Sequence, residues 1–146
     1  MKPIVYFKKL RPGAIIPSYQ TSGSSGFDLV AAESVKIGPG ETQLVPTGLA
    51  CSLPPGTELQ IRARSGLSLQ TGYLVKNGIG TVDEDYRGEI CVIIHNLDLE
   101  WTLNINAHER FAQGVICPVI RCDIQEAQDL DITARGEGGF GSTGAM

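Results

Sequence analysis

Long hydrophobic runs are missing from the chain, and so is a secretory signal. Its apolar stretches fall well short of the roughly 18 residues that a membrane helix needs. Residues 1–10 carry three lysines but no extended apolar segment of the kind that signal peptides contain. The sequence therefore predicts a protein without a membrane partner.

Positive charge is also scarce. The 146 residues include 12 Lys and Arg against 16 Asp and Glu, for a formal net charge of −4. Proteins that bind nucleic acid through bulk charge are basic, so we expect no nucleic-acid partner. A small anionic ligand in one locally basic pocket remains compatible with this balance.

Cysteine is present but lacks the spacing of a metal site. None of Cys51, Cys91, Cys117 and Cys122 forms a CxxC pair, and no histidine stands at ligand spacing. A chain of this length can bury a sufficient core without disulfides. We expect four buried or half-buried free thiols in a reducing cytoplasm.

Helical periodicity is absent, whereas turn residues and period-two alternation are abundant. Eighteen glycines and 8 prolines punctuate the chain, and residues 58–64 alternate apolar with charged side chains. Residues 90–94 are continuously apolar, as in a strand covered on both faces. The pattern predicts an all-β sandwich or jelly roll with one short helix near 65–70, where Ser65 could act as the cap. The predicted strands are 4–10, 27–31, 42–45, 49–53, 58–64, 90–94, 101–106 and 111–121.

The C-terminal stretch has a different composition. Residues 135–146 contain five glycines and a single aromatic side chain, Phe140. We predict a β domain over residues 1–130 and a flexible C-terminal arm over 131–146. Consecutive glycine N–H groups at 135–144 could form an anion nest, with further donors on Arg135, Ser142 and Thr143. Without the Walker lysine this is no P-loop, and a disordered tail is the alternative.

Three further groups of residues are candidates for chemistry. A turn at 24–27 delivers Asp28 into an apolar strand, which alone is compatible with a structural role. In Arg64-Ser65-Gly66-Leu67 a guanidinium, a hydroxyl and free N–H groups converge, as a phosphate site requires, although a plain helix start beside an exposed arginine is the alternative. Residues 77–88 are predicted to form a β-hairpin whose turn carries three adjacent carboxylates and Tyr86. Such a cluster indicates a general base or a metal site, and a solvated acidic hairpin is the alternative.

Taken together, these groups make the sequence resemble the homotrimeric dUTP pyrophosphatases, or dUTPases, along nearly its whole length. The matching motifs are Ser25-Gly26-Phe27-Asp28-Leu29, Arg64-Ser65-Gly66-Leu67, residues 80–88, Glu109-Arg110-Phe111-Ala112-Gln113 and residues 135–144. Two positions depart from the family pattern. Ala63 stands where a proline is usual, and Asn106-Ala107-His108-Glu109 replaces the usual turn before the fourth motif.

The resemblance implies a dUTPase-type distorted jelly roll and hydrolysis of dUTP to dUMP and pyrophosphate, which supplies dUMP and keeps uracil out of DNA. Water would attack the α-phosphorus, with Asp83 as its general base. Mg²⁺ would be held by the phosphates and water, with Asp28 and Gln113 acting through that water. The active protein would be a homotrimer with shared sites.

The resemblance also assigns the remaining substrate-binding residues. Tyr86 would pack on the deoxyribose and exclude a 2′-hydroxyl, Phe140 would stack on uracil, and Cys91 would contact the base through its main chain. The full predicted binding set is Arg64, Ser65, Gly66, Asn77, Gly80, Thr81, Val82, Tyr86, Cys91, Gln113, Arg135, Phe140, Gly141, Ser142 and Thr143.

Two alternative functions remain. A dCTP deaminase shares this fold but uses a glutamate base near the nucleobase, and the predicted hairpin carries no such glutamate in place of Asp83. A non-catalytic nucleotide sensor or protein-binding relative would be expected to lose Asp83 or the glycine-rich motif, and both are intact.

Overall fold

The protein is built almost entirely from antiparallel strands, as the computed structural model of residues 1–144 shows. The strands and the one helix are β1 (Tyr6–Lys9), β2 (Phe27–Val30), β3 (Val35–Ile37), β4 (Thr42–Pro46), β5 (Leu49–Ser52), β6 (Thr57–Arg62), α1 (Ser65–Gln70), β7 (Tyr73–Val75), β8 (Gly80–Val82), β9 (Cys91–Asn96), β10 (Leu103–Ile105) and β11 (Arg110–Pro118). The prediction of an all-β protein with a short helix at 65–70 is confirmed.

Two larger sheets supply most of one continuous core. The first has the strand order β2-β11-β6-β8 and the second has β4-β9-β7, while β1 pairs with β5 and β10 with β3. Fully buried side chains of both larger sheets, among them Leu29, Leu59, Phe111, Val45 and Ile94, belong to a single hydrophobic cluster. The sheets are therefore held together by apolar burial between their inner faces.

Alternation on β6 is as the sequence predicts. Leu59 and Ile61 are buried in the core, whereas Glu58, Gln60 and Arg62 lie on the other face. On that face the Arg62 guanidinium donates to the Gln60 side-chain oxygen at 2.6 Å. The strand thus has one apolar face toward the core and one hydrogen-bonded polar face.

Three local expectations are wrong. Residues 90–94 are not covered on both faces, because β9 is the middle strand of a three-stranded sheet and exposes Ile93 on its outer face (37%). Trp101 lies outside β10 and is 73% exposed. Ser65 does not cap α1, because it is already the first residue of the helix. The N-cap is Arg64, whose backbone is extended and whose side chain makes no capping hydrogen bond.

Cysteine placement follows the expectation for three of the four thiols. All four are free; Cys51 is buried, Cys91 and Cys117 are half-buried, and Cys122 is exposed. Cys122 departs from the prediction because it follows the end of β11, where the chain leaves the core.

The chain beyond β11 contributes little to the core. Residues 119–144 contain no helix or strand and are exposed along most of their length. The domain boundary at residue 130 stays a prediction, and residues 145–146 of the predicted arm lie outside the described residues. Within residues 1–144, no helix has the length and apolar character needed to cross a membrane.

Candidate functional site

A cavity of about 390 Å³ brings together seven of the predicted site residues. Its walls come from β8, from the loop that follows β8 and from the start of β9. The predicted residues that line it are Asn77, Gly80, Thr81, Val82, Asp83, Tyr86 and Cys91. Apolar side chains of both sheets, including Ile61, Val75 and Ile90, complete the wall. A concave, mainly apolar cavity with a few polar groups at its rim is the usual form of a small-molecule site.

The predicted hairpin at residues 77–88 is wrong in its pairing. The flanking strands belong to different sheets: β8 pairs with β6, whereas β9 pairs with β4 and β7. The segment between β8 and β9 therefore links the two sheets instead of closing a two-stranded ribbon. Residues of this segment nevertheless line the cavity.

The three adjacent carboxylates have different environments. The Glu84 carboxylate accepts a hydrogen bond from the Gly56 N–H at 2.8 Å, and Arg87 donates to the Glu84 carbonyl at 2.7 Å. Asp83 lines both the apolar cavity and a neighbouring groove that also includes Glu58, Glu84 and Asp85. Glu84 therefore holds the loop in place. Of these three adjacent carboxylate residues, Asp83 is the one that lines the apolar cavity.

The Tyr86 ring is held in a defined position at the cavity wall. Its hydroxyl donates to the Glu89 carbonyl at 2.9 Å, and the Tyr86 N–H donates to the Asp83 carbonyl at 3.1 Å. A Cβ added at Gly88 would come within 2.6 Å of the Tyr86 Cζ. Residue 88 must therefore be glycine for the Tyr86 ring to occupy this position against the main chain.

A second cluster of predicted residues forms around Asp28, beside the C-terminal end of β6. The Arg64 Nε lies 2.9 Å from one Asp28 carboxylate oxygen, and Arg110 Nη1 lies 3.7 Å from the other. Arg64 also donates to the Arg110 carbonyl at 2.9 Å. The Asp28 side chain is only 16% exposed. The largely buried Asp28 carboxylate thus lies between two guanidinium groups. Arg64 directly precedes α1, whose first two residues are Ser65 and Gly66.

Gln113 belongs to the same cluster. It stands opposite Asp28 on β2 and opposite Arg62 on β6, and its amide donates to the Ala63 carbonyl at 2.8 Å. Because that bond uses only the main chain of Ala63, the departure from the family's proline leaves this contact in place. The amide oxygen of Gln113 remains available as an acceptor beside Gly26.

Tyr73 is a site residue that sequence reasoning missed. Its buried hydroxyl accepts the Arg64 N–H at 3.0 Å and donates to the Phe111 carbonyl at 2.9 Å. Burial raises the pKa of Tyr73, so its hydroxyl stays protonated and can donate. Tyr73 thereby holds the main chain of Arg64 against β11. No local signal could have identified it, since both partners are distant in sequence.

The two clusters lie far apart within one chain. Leu59 pairs with Val82, next to Asp83, and the chain then runs extended from Leu59 to Arg64. At about 3.3 Å per residue, this separates Asp83 from Arg64 by roughly 15–20 Å.

The glycine-rich residues of the tail are near neither cluster. Among residues 1–144, the hydrogen bonds of the segment after Asp131 stay within that segment, such as the one from Arg135 Nε to the Gly138 carbonyl at 2.7 Å. Phe140 is fully exposed, and Gly141, Ser142 and Thr143 follow it on the surface. The predicted meeting of these residues with the cavity, by closure of the tail on a site shared between copies, stays a prediction.

The two histidines have structural positions. The His95 Nδ1 lies 2.9 Å from the Thr42 hydroxyl on the neighbouring strand, and His108 has a positive φ of 66° in the turn before β11. That turn is closed by a bond from the Asn106 N–H to the Glu109 carboxylate at 2.8 Å. The unusual fourth-motif turn thus still delivers Arg110 and Gln113 to β11.

Comparison with known proteins gives one consistent family. A family model described as dUTPase matches residues 13–144. A deoxyuridine 5'-triphosphate nucleotidohydrolase of Wolinella succinogenes is 54% identical over 136 residues, covering 93% of this chain and 91% of the relative. The enzyme of the same name from Helicobacter pylori is 49% identical over 140 residues and covers 96% of both chains.

Solved structures agree with the sequence comparison. A dUTPase of Staphylococcus bacteriophage 80alpha with dUpNHpp has a TM-score of 0.90 at 26% identity, covering 97% of this chain and 99% of its own. A dUTPase of phage phi11 of S. aureus, described as coordinating a structural Mg(II) ion, has a TM-score of 0.82 at 22% identity, covering 88% and 99%. At that identity the phi11 enzyme supports the fold alone. The predicted fold class is confirmed.

Proposed function

This chain belongs to the dUTPase family, and we propose that it hydrolyses dUTP to dUMP and pyrophosphate. The observation that carries the proposal is the cavity that gathers Asn77, Asp83, Tyr86 and Cys91 beside residues 80–82. Asp83 and Tyr86 lie within residues 80–88, which match the family's third motif by residue type. In the cell the reaction would supply dUMP and keep uracil out of DNA.

Uracil binds in the apolar cavity. The main-chain groups of Gly80 to Val82 and of Cys91, with the Asn77 amide, offer donors and acceptors for the edge of the base. Cytosine reverses that donor and acceptor pattern and would leave buried groups unpaired, which costs about 1–3 kcal/mol for each group. The match of hydrogen-bonding groups thereby selects uracil.

Tyr86 selects the sugar. Its ring is fixed against Gly88 and by its bond to the Glu89 carbonyl, so it cannot move aside at no cost. A ring in this position packs on deoxyribose and leaves no space for a 2′-hydroxyl. The enzyme therefore discriminates against UTP.

Asp83 orients and deprotonates the water that attacks the α-phosphorus. Its carboxylate lies at the rim of the cavity, where the base and sugar lead toward the triphosphate. Phosphoryl transfer depends mainly on positioning and electrostatic stabilisation. One carboxylate base is thus sufficient when cationic groups bind the phosphates.

The phosphates bind to Arg64, the Ser65 hydroxyl and the Gly66 N–H. Because Asp28 fixes the Arg64 guanidinium at 2.9 Å, Arg64 needs little reorganisation to receive an anion. Arg135, Gly141, Ser142 and Thr143 of the tail add further donors, and Phe140 stacks on uracil when the tail closes. Tail closure excludes water from the triphosphate.

The chain offers no dedicated cage for Mg²⁺. Within residues 1–144, no group of three or more His, Cys, Asp or Glu side chains is arranged to hold a metal ion. The donor set fits a hydrated ion bound mainly by the phosphates, with the oxygens of Asp28 and Gln113 reached through water. When bound, Mg²⁺ would neutralise charge on the triphosphate.

A complete site requires more than one copy of the chain. Asp83 and Arg64 are separated by roughly 15–20 Å within one chain, whereas a base and its phosphate ligands must lie within hydrogen-bond distance of the same reacting group. We therefore place the cavity of one copy beside the Asp28–Arg64 cluster of the next, in the homotrimer that the family resemblance implies.

The exposed chain after β11 supports this assembly. Five large apolar side chains on it are exposed, most of them by more than four-fifths, which is costly for an isolated copy in water. They are Val119, Ile120, Ile124, Leu130 and Ile132. The 17 residues from 119 to 135 can extend about 55 Å, enough to carry the tail to a neighbouring copy. The four free thiols fit the cytoplasmic location that we propose.

The main alternative is a dCTP deaminase, which would release ammonia and leave the triphosphate intact. Incubation with dUTP and with dCTP, followed by identification of the products, separates the two reactions. We expect dUMP and pyrophosphate from dUTP and no product from dCTP. Formation of dUTP from dCTP would contradict the proposal, and absence of any turnover would favour a non-catalytic relative.

A further inference from the structure

Glu89 connects the Tyr86 loop to the N-terminal segment of the chain. One oxygen of its carboxylate accepts the Gly48 N–H at 2.9 Å, and the other lies 2.8 Å from the Arg11 guanidinium. The carbonyl of the same residue accepts the Tyr86 hydroxyl at 2.9 Å. Glu89 therefore binds the Arg11 guanidinium through its side chain and the Tyr86 hydroxyl through its main-chain carbonyl.

The surroundings of Glu89 allow very little movement. The N–H of the next residue, Ile90, donates to the Leu49 carbonyl at 2.7 Å, and the Ile90 carbonyl accepts the Thr47 hydroxyl at 2.6 Å. Ile90 is fully buried and lines the cavity. The peptide group between Glu89 and Ile90 is thus held by the bond to the Leu49 carbonyl. The Glu89 carboxylate is held by the Gly48 N–H and the Arg11 guanidinium.

Gly48 is shaped to receive this carboxylate. Its φ of +69° lies in the left-handed region that favours glycine, and a Cβ there would come within 2.7 Å of the Arg11 Cγ. The Arg11 stem therefore packs directly against the turn whose N–H binds Glu89. The Leu10 N–H donates to the Gly48 carbonyl at 2.8 Å and keeps the two segments together.

We propose that Arg11 and Glu89 are positioning residues for substrate selection. Their ion pair and the bond from the Gly48 N–H hold the turn at residues 48–49 against Glu89, and the Leu49 carbonyl of that turn fixes the peptide group whose carbonyl accepts the Tyr86 hydroxyl. The inference rests on the proposed function, in which the Tyr86 ring excludes the 2′-hydroxyl of ribonucleotides. Glu89 also lines the cavity itself, so movement of its carboxylate changes the wall beside Cys91. The selectivity of the site thus depends on a residue 75 positions before Tyr86 in the sequence.

The pair is suited to positioning more than to stability. The side chains of Arg11 and Glu89 are 36% and 23% exposed, and partly exposed ion pairs contribute little to the free energy of unfolding. Removing the pair should therefore leave the protein folded. Its effect should be seen in the geometry of the loop that carries Tyr86.

The test compares kcat/KM for dUTP with kcat/KM for UTP in the full-length protein. We expect Arg11→Ala to lower the dUTP/UTP ratio about tenfold, as loss of one charged contact in a coupled network does, with kcat for dUTP changed by less than about threefold. Arg11→Lys, which keeps the charge but not the planar fork, should restore part of the ratio. Glu89→Gln retains an acceptor for Gly48 and should lower the ratio by less than Arg11→Ala.

The matched control is Glu33→Gln. Glu33 is the second partner of Arg11, at 3.1 Å, and its side chain is 59% exposed. This variant removes an ion pair of Arg11 without touching the Tyr86 loop, so its ratio should equal that of the wild type. If the dUTP/UTP ratio fell equally in Glu33→Gln and Arg11→Ala, the cause would be the change in local charge and not the contact with Glu89. That result would contradict the proposal.

A double-variant cycle identifies the route of the effect. Tyr86→Phe removes the hydroxyl that donates to Glu89, so adding Arg11→Ala to it should cause almost no further loss of the ratio. Fully additive losses would overturn the proposal. If Arg11→Ala fails to fold, Glu89→Gln in the same cycle decides the question.

The outcomes separate this inference from the function on which it rests. A wild-type protein that does not hydrolyse dUTP would contradict the proposed function. A wild-type enzyme that selects dUTP, together with unchanged ratios in Arg11→Ala and Glu89→Gln, would contradict the positioning role alone.

Discussion

The ring of Tyr86 lies against Gly88 so closely that a Cβ added there would come within 2.6 Å of the Tyr86 Cζ. Because the ring is half-exposed, the Cβ of Gly88→Ala should push it outward and break its bond to the Glu89 carbonyl while the protein stays folded. We expect both Gly88→Ala and Tyr86→Ala to lower the dUTP/UTP ratio of kcat/KM. An unchanged ratio in both variants would mean that sugar selection lies elsewhere. Gly23→Ala, where an added Cβ meets nothing within 4 Å, is the control.

Asp83→Asn should abolish most turnover while preserving the fold and nucleotide binding. An amide has nearly the shape of the carboxylate but cannot accept the proton from water, and loss of a general base typically costs about 10²–10⁴-fold in rate. Steady-state hydrolysis and calorimetric binding of a non-hydrolysable dUTP analogue measure the two properties separately. Near-normal turnover in a pure preparation would remove Asp83 from this role.

Tyr73→Phe should destabilise the protein by about 1–3 kcal/mol, because it leaves the Arg64 N–H and the Phe111 carbonyl without a partner. Urea unfolding monitored by fluorescence measures the change. The control is Tyr19→Phe, since Tyr19 is exposed and packs edge-on against Phe27 through its ring. Equal stability of wild type and Tyr73→Phe would refute the role of this hydroxyl.

Tyr73 also predicts a pH dependence. Burial raises its pKa in the folded state above the value of about 10 for an exposed tyrosine. Its contribution to stability is therefore complete below about pH 10 and is lost as the pH rises through the folded-state pKa. Above pH 10, the wild type should lose more stability than Tyr73→Phe does.

Removal of residues 136–146 should leave a folded β protein that binds dUTP weakly and hydrolyses it very slowly. Ordering a glycine-rich segment costs roughly 1–2 kcal/mol per residue, and Phe140 is its one aromatic side chain. Bound phosphates and uracil would supply the missing partners. Amide hydrogen exchange at residues 136–144 should slow only with a non-hydrolysable dUTP analogue. Equal protection without the analogue would contradict the lid role, and full activity after truncation would contradict a catalytic one.

Local patterns were sufficient to predict most strands. Period-two alternation identified β6, because Leu59 and Ile61 bury on one face while Glu58 and Arg62 stay on the other. Segments of three residues, such as β7 and β8, are too short to show a period, and their formation depends on partners far along the chain. The wrong pairing at residues 77–88 has the same cause, since adjacency in sequence favoured a hairpin.

The candidate site divides in the same way. Motif residues such as Asp28, Arg64 and Asp83 are recognisable from residue type and order. The contact of Arg64 with Asp28 spans 36 positions, and the bond from Tyr73 to Phe111 spans 38, so neither follows from local pattern. The exposure of Cys122 does not follow from composition, because composition does not reveal where the chain leaves the core.

The claim that one site is shared between copies can be tested by mixing two inactive proteins. Asp83→Asn lacks the base, and Arg64→Ala lacks a phosphate ligand roughly 15–20 Å away in the same chain. The two proteins are unfolded, mixed in equal amounts and refolded together, with each refolded alone as the control.

In a randomly mixed assembly, about a quarter of shared sites receive an intact Asp83 from one copy and an intact Arg64 from another. The account therefore predicts that dUTP hydrolysis returns to about a quarter of the wild-type rate per site, in an assembly whose mass by light scattering is that of a trimer. A mixture that stays as inactive as its separate components, with the mass of a single chain, would contradict it.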